Sequence, residues 1–251
     1  MCVPATSRSA AALARRVAAL ADPQLRVTYV RSQLLEMGVD DVADLFLVAA
    51  HRAEARKAPY QELLLTLSLA LLDPTCEAMR RAVSSAAAAR GQWELTLLLG
   101  GTASTEAEDE TAAAPIPDFG RGRTLTLGER KALARRADRQ QIAKVLRDPH
   151  PDVIRVLLGN PGLTELDVIR LAARRTVTAA VLEAIFRSPR WVLRYSVRKA
   201  LVLNPRTPPT IALQLAPHLT TQDARLAAAS EELDPDLRRA CGRGSGGSVV
   251  H

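Results

Sequence analysis

Two stretches of the chain align without a gap at an offset of 44 residues. They are "VIRVLLGNPGLTELDVIRLAA" (153–173) and "VRKALVLNPRTPPTIALQLAP" (197–217). Val153 falls on Val197, Leu157 on Leu201, Asn160-Pro161 on Asn204-Pro205, Val168 on Ala212, and Leu171-Ala172 on Leu215-Ala216. Each copy is an apolar stripe, an Asn-Pro break and a second apolar stripe. Proline disfavours helix in the residue before it, so the break ends one helix and sets up the next. A helix pair that recurs cannot bury its stripes alone and must stack on its neighbours, which is the logic of an α-solenoid. Shorter echoes follow at 219–228 ("LTTQDARLAA") and 233–241 ("LDPDLRRAC").

Composition agrees with an all-α chain. Aromatic residues make up only 3% and apolar residues 47%, while alanine and leucine abound and β-branched runs are few. Asp-Pro occurs at 22-23, 73-74, 148-149 and 234-235, each time between helix-like segments. Asp caps the free N–H groups of a helix start, and proline tolerates the first helical position. This punctuation predicts helices near 8–21, 23–37, 40–56, 59–72, 74–90 and 92–99, with Gly38 and Gly91 as stops. In the first, Leu13, Val17 and Leu20 share a face. "LLLTLSLALL" (63–72) is about half the length that spans a bilayer, so it reads as a buried helix and not as a membrane anchor.

The organisation expected is a helical bundle over 1–99, an acidic flexible linker over 100–124, a helical repeat domain over 125–241 and a disordered tail over 242–251. The linker lacks apolar periodicity and carries Glu106, Glu108, Asp109 and Glu110. "TLTLGERKALARRADRQQIAKVLRD" reads as two short helices, with "GERKALARRADR" (128–139) a charged surface segment whose main apolar contact is Leu133.

At the opening of the first copy and across the second, "LRDPHPDVIRVLLGNP" and "SVRKALVLNPRTPPTIALQLA" resemble known families. The first is similar to the opening helix of a HEAT repeat, with Asp148, Pro149, Val153 and Arg155 near that family's Asp-Pro and Val-Arg. The second is similar to the leucine-rich repeat variant, whose units turn around an Asn-Pro-x-Thr-Pro break. The resemblance covers roughly 138–241. Ile154 separates Val153 from Arg155, and the 44-residue period suits HEAT better than the variant's roughly 24-residue unit. The resemblance implies a helical protein-interaction scaffold; joined to the helices read over 1–99, it makes the expected fold an all-α helical bundle followed by a HEAT-like α-solenoid. The cysteines form no cluster of the kind an iron–sulfur site needs, so no cofactor is carried over.

Charge is uneven. Residues 1–119 hold 11 Lys+Arg against 15 Asp+Glu, and residues 120–251 hold 23 against 12. A basic half suits phosphates, anionic lipids or an acidic protein, and charge alone does not choose. The candidate partner-binding residues lie in "SPRWVLRYSVRK" (188–199). A helix beginning at Pro189 puts Arg190, Arg194 and Arg198 along one face, with Trp191 and Tyr195 on the adjoining stripe. Arg, Trp and Tyr are enriched at interface hot spots. The alternative is that the aromatics cap a helix seam and the arginines are solvated. Arg174 and Arg175 close a helix, where cations offset the macrodipole. The acidic linker reads either as a spacer or as a tethered cover for the arginine ridge.

Catalysis finds no signature: His51, His150, His218 and His251 are scattered without metal-ligand spacing, and no nucleophile elbow or Gly-rich phosphate loop is present. Catalytic, cofactor and metal sites are therefore all expected to be absent, with no small-molecule substrate indicated. Cys2, Cys76 and Cys241 are far apart, as in a reduced cytoplasmic protein. The expected function is a non-enzymatic scaffold or adaptor that binds a protein through its basic C-terminal repeat surface. Nucleic-acid binding is the alternative, which needs the basic residues on one concave face and exposed aromatics for stacking.

Overall fold

A computed structural model describes residues 5–54, 58–92, 95–96, 99, 116–119 and 122–243. Among the described residues the chain is entirely helical, with no strand. Glu106, Glu108, Asp109 and Glu110 of the linker, residues 244–251 of the tail, Cys2 and His251 lie outside the described residues. Contacts divide the chain into two compact units. One is Met1–Gly101 with Pro209–His251, and the other is Thr102–Pro208. The block read from the sequence as 125–241 spans this division: its part up to Pro208 lies in one unit and its part from Pro209 in the other.

The first unit holds α1 (Ala5–Ala19), α2 (Pro23–Glu36), α3 (Val39–Glu54), α4 (Ala58–Leu71) and α5 (Glu77–Ala89). Leu63, Leu64, Leu65, Leu67, Leu69 and Leu71 of α4 are all buried. A helix that is apolar all round must be enclosed, and α4 packs against α1, α2 and α3. Of the apolar run, Thr66 is buried and turns its hydroxyl onto the Glu62 carbonyl at 2.7 Å. Among the described residues no helix is long and apolar enough to cross a membrane. The innermost face of α1 is Ala10, Ala14 and Val17, while Leu13 is only partly buried against the core. Alanines let α1 approach α3 and α4 closely, which a search for large apolar residues passes over.

Asp22 caps α2 by accepting from Gln24 N at 2.9 Å. Asp73 caps the 3₁₀ turn Pro74–Cys76 through Thr75 N at 3.0 Å. Gly91 stops α5 at φ +67°, the left-handed region that glycine enters without a Cβ penalty. From the C-terminal segment this unit gains α13 (Pro209–Leu215), α14 (Thr221–Ala229) and α15 (Pro235–Arg243). Here Asp234 caps the start of α15 through Asp236 N at 2.8 Å.

The second unit runs α6 (Leu127–Arg136), α7 (Arg139–Val145), α8 (Pro151–Leu158), α9 (Glu165–Ala173), α10 (Ala179–Phe186), α11 (Pro189–Val192) and α12 (Tyr195–Val202). Helix α8 packs between α6 and α10, and α9 packs on α12. Reciprocal capping boxes start three helices: Thr126 with Glu129, Asp138 with Gln141, and Thr164 with Asp167.

The fourth Asp-Pro works differently from the other three. In "DPHP" the helix begins at the second proline, Pro151, and His150 is the cap, its Nδ1 accepting from Asp152 N at 3.2 Å. Asp148 still accepts from the N–H two residues on, that of His150 at 2.9 Å, but it is buried and also faces Arg130, whose Nη1 lies 2.8 and 2.9 Å from its two carboxylate oxygens. The segment expected to be a charged surface helix thus sends one arginine inward, because a buried carboxylate requires a paired cation.

The two Asn-Pro breaks do the same work. Asn160 is buried, and its Nδ2 donates to the Ala134 and Ala137 carbonyls at 3.0 and 3.1 Å. Asn204 is buried, and its Nδ2 donates to the Ala172 and Arg174 carbonyls at 2.7 and 3.1 Å. In each case the Oδ1 accepts from the N–H two residues on, of Gly162 at 2.8 Å and of Arg206 at 3.0 Å. The carbonyls so reached end α6 and α9, which have no intrahelical donor for them. Each asparagine therefore pins the end of one helix to the turn after another.

Candidate functional site

The residues expected to bind a partner, Arg190, Trp191, Arg194, Tyr195 and Arg198, do not form one helical ridge. The helix that starts at Pro189 ends at Val192, and Arg194 is extended, at φ −80° and ψ 123°, as the residue before α12. The break is held by the cluster itself: Arg198 Nη1 donates to the Val192 and Leu193 carbonyls at 3.2 and 2.8 Å. These are groups that the end of α11 leaves without an intrahelical donor.

The other members also turn inward. Trp191 is buried, and its indole N–H donates to the Leu158 carbonyl at the end of α8 at 2.7 Å. The Arg190 guanidinium lies 4.5 Å from the Trp191 ring centre and donates to the Asn160 carbonyl at 3.2 Å. Arg194 pairs with Glu165 of α9 at 3.2 Å. The Arg198 guanidinium also lies 5.9 Å from the Tyr195 ring centre. Arg190, Trp191, Arg194 and Arg198 therefore all hold the seam between α8, α9, α11 and α12, whatever else they do.

Tyr195 belongs as well to an open groove of about 450 Å³ between α9 and α12. Ile169, Ala173, Ala200 and Leu203 supply its apolar lining, and Arg175, Tyr195, Ser196 and Lys199 its polar one. Ile169 and Ala173 stand four apart on α9, and Leu166, 53% exposed, continues that stripe one turn earlier. The carboxylates nearest in α9 are committed elsewhere: Glu165 to Arg194, and Asp167 to Arg139 and the Thr164 cap.

The opposite flank of α9 faces a smaller cleft of about 220 Å³, lined by Arg139, Ala143, Leu146, Arg147, Asp167, Arg170 and Arg174. Arg139 Nη2 donates to Asp167 Oδ1 at 2.9 Å and Nη1 to Oδ2. With the Thr164 bonds added, this arginine holds the Asp167 carboxyl far below the usual range. Arg174 Nη1 donates to the Leu146 carbonyl at 2.9 Å. Burial, and then the nearby Arg147 charge, press the Arg174 pKa downward. In the sequence Arg174 stands out only as a helix-end cation and Arg139 only as the end of a charged surface segment, while Arg147 and Arg170 carry no mark of their own. The spacing of Asp167, Arg170 and Arg174 at i, i+3 and i+7 was the available signal.

Among the described residues no group of three or more His, Cys, Asp or Glu is placed to hold a metal. His150 is the cap of α8, and burial lowers its pKa. Cys76 and Cys241 are buried and form no disulfide among the described residues. Comparison with protein-family models, with curated proteins and with solved structures finds no match.

Proposed function

We propose that the chain is a non-enzymatic interaction scaffold whose second unit binds an acidic, amphipathic segment of a partner protein in the groove between α9 and α12. The observation that carries this reading is the lining of that groove, an apolar strip beside Arg175 and Lys199. An apolar strip takes up the hydrophobic face of a partner helix, and the cations favour an acidic edge and steer its approach. Trp191 and its three neighbouring arginines then serve as the support that fixes α12 against α8 and α9, with Tyr195 reaching into the groove.

A HEAT-like solenoid is part of the same reading. It is supported by equal burial at the matched positions: Val153 and Val197, Leu157 and Leu201, Leu171 and Leu215 are all at most 2% exposed. The two asparagines with the same bonding pattern support it further. A cytoplasmic setting belongs to this proposal too.

The test is capture of partners on the immobilised full chain, with and without nuclease, using the natural sequence and Ala173→Glu. Ala173 is exposed, so the substitution adds bulk and an opposing charge to the groove without entering the core. Proteins that survive nuclease and are lost with Ala173→Glu support the proposal. Partners lost to nuclease would establish nucleic-acid binding in its place, and partners indifferent to Ala173→Glu would remove the groove from the account.

A further inference from the structure

The cleft on the other flank of α9 carries more positive charge than its own fold uses. Of its four guanidinium groups, that of Arg139 is taken up by Asp167, the one carboxylate present. Asp167 is itself saturated, since its Oδ2 also accepts from Thr164 N at 3.0 Å and Thr164 Oγ1 at 2.6 Å. The side chains of Arg147 and Arg170 make no hydrogen bond or ion pair among the described residues. Arg174 is tethered through Nη1 to the Leu146 carbonyl, which fixes its position without neutralising it. Three further cations thus line a cleft whose one carboxylate is already paired with Arg139.

Like charges gathered in a concavity repel one another and gain when an anion enters. Guanidinium is the group of choice for phosphate, because its planar fork matches a pair of phosphate oxygens. A carboxylate has two oxygens and one charge, and satisfies one such fork. A phosphomonoester offers three terminal oxygens and about −1.5 to −2 charges at neutral pH, which suits three forks. The small volume admits a single head group at a time.

We propose that the cleft formed by Arg147, Arg170 and Arg174 is a binding site for a phosphomonoester dianion. Arg139 and Asp167 form its wall. The wall and one ligand are held by the fold: Asp167 belongs to the capping box that starts α9, and Arg174, at the end of the same helix, is tethered to the Leu146 carbonyl. The lining residues of the cleft are distinct from those of the apolar groove, and its test uses no groove variant, so it stands independently of the protein-binding proposal.

The experiment is an NMR and calorimetric titration of the full chain with inorganic phosphate, with O-phosphoserine and with a short DNA duplex. Saturable binding of either phosphate is expected, with shifts confined to 139–147 and 167–174. Tighter binding of phosphoserine identifies the ester as the ligand, and tighter binding of inorganic phosphate identifies the free ion; both support the site. Arg147→Ala with Arg170→Ala is expected to weaken binding at least tenfold, while Arg155→Ala, removing an exposed arginine paired with Asp152, leaves it unchanged. Arg147→Lys with Arg170→Lys keeps the charge but loses the forks, and is expected to fall between. Absence of saturable phosphate binding overturns the proposal. So does full affinity in the double alanine variant, or binding of the duplex alone.

Discussion

Asn160 offers the sharpest test of how the second unit is held together. Its three shortest side-chain hydrogen bonds are of 2.8 to 3.1 Å, two buried ones donated to the Ala134 and Ala137 carbonyls that end α6 and one, partly buried, accepted from Gly162 N; a longer contact of 3.4 Å reaches the Arg135 carbonyl. A net value of about 0.5–1.5 kcal/mol for each bond gives Asn160→Ala a cost of about 1.5–4.5 kcal/mol. The upper half of that range is expected, because two carbonyls are left buried without donors. Asn160→Asp separates hydrogen bonding from packing: it keeps the shape and the bond from Gly162 but loses both donors and sets a carboxylate against two carbonyls. It should therefore cost at least as much as the alanine. Urea unfolding followed by Trp191 fluorescence in a Trp93→Phe background reads this unit, and a loss of about 3 kcal/mol moves its midpoint by about 1 M or more. Acid should narrow the gap between Asn160→Asp and the natural sequence, since a protonated carboxyl regains one donor. An Asn160→Asp variant within about 0.5 kcal/mol of the natural protein would refute the reasoning.

Other substitutions probe the remaining supports. Arg130→Ala leaves Asp148 buried and uncompensated and is expected to cost about 3–5 kcal/mol in chemical unfolding. Replacing Arg130 and Asp148 together by apolar residues should recover most of that loss. Trp191→Phe removes the 2.7 Å bond to the Leu158 carbonyl in a buried setting and should cost about 1–3 kcal/mol in urea unfolding followed by far-ultraviolet circular dichroism. Glu129 is held from an ordinary 4.5 to about 2, first by the Arg123 guanidinium and then by the Thr126 backbone and hydroxyl. A depressed carboxyl contributes stability that is full above its unfolded value and is lost as pH falls through the folded one. Loss of the α6 cap is thus expected between about pH 4.5 and 2, seen in the carboxyl shift of Glu129 and absent in Glu129→Gln.

Much of the helical order was legible because the chain punctuates it. Asp22, Asp73 and Asp234 cap as their Asp-Pro spacing indicates, and Gly91 stops α5 in the left-handed region. The Asn-Pro breaks were legible as turns, but not as staples, because the carbonyls they reach lie 23 to 32 residues away. Asp148 was misleading for a related reason. Its dipeptide matches a helix cap and its Oδ1 does accept from His150 N, yet a second proline two residues later takes the helix start, and the same carboxylate pairs with Arg130. The end of α11 at Val192 carries no Gly or Pro, and it depends on Arg198 reaching back to the carbonyls. The arginine cleft draws on α7 and α9, so its members look unremarked in the sequence until those helices are brought together.

The central claim is that the groove between α9 and α12 receives a partner protein. Hydrogen exchange of the full chain, alone and with a partner recovered by nuclease-resistant capture, tests it most directly. The account expects added protection at 166–175 and 195–203, weakened in Ala173→Glu. Protection that spares both segments, or that persists unchanged in Ala173→Glu, would contradict it.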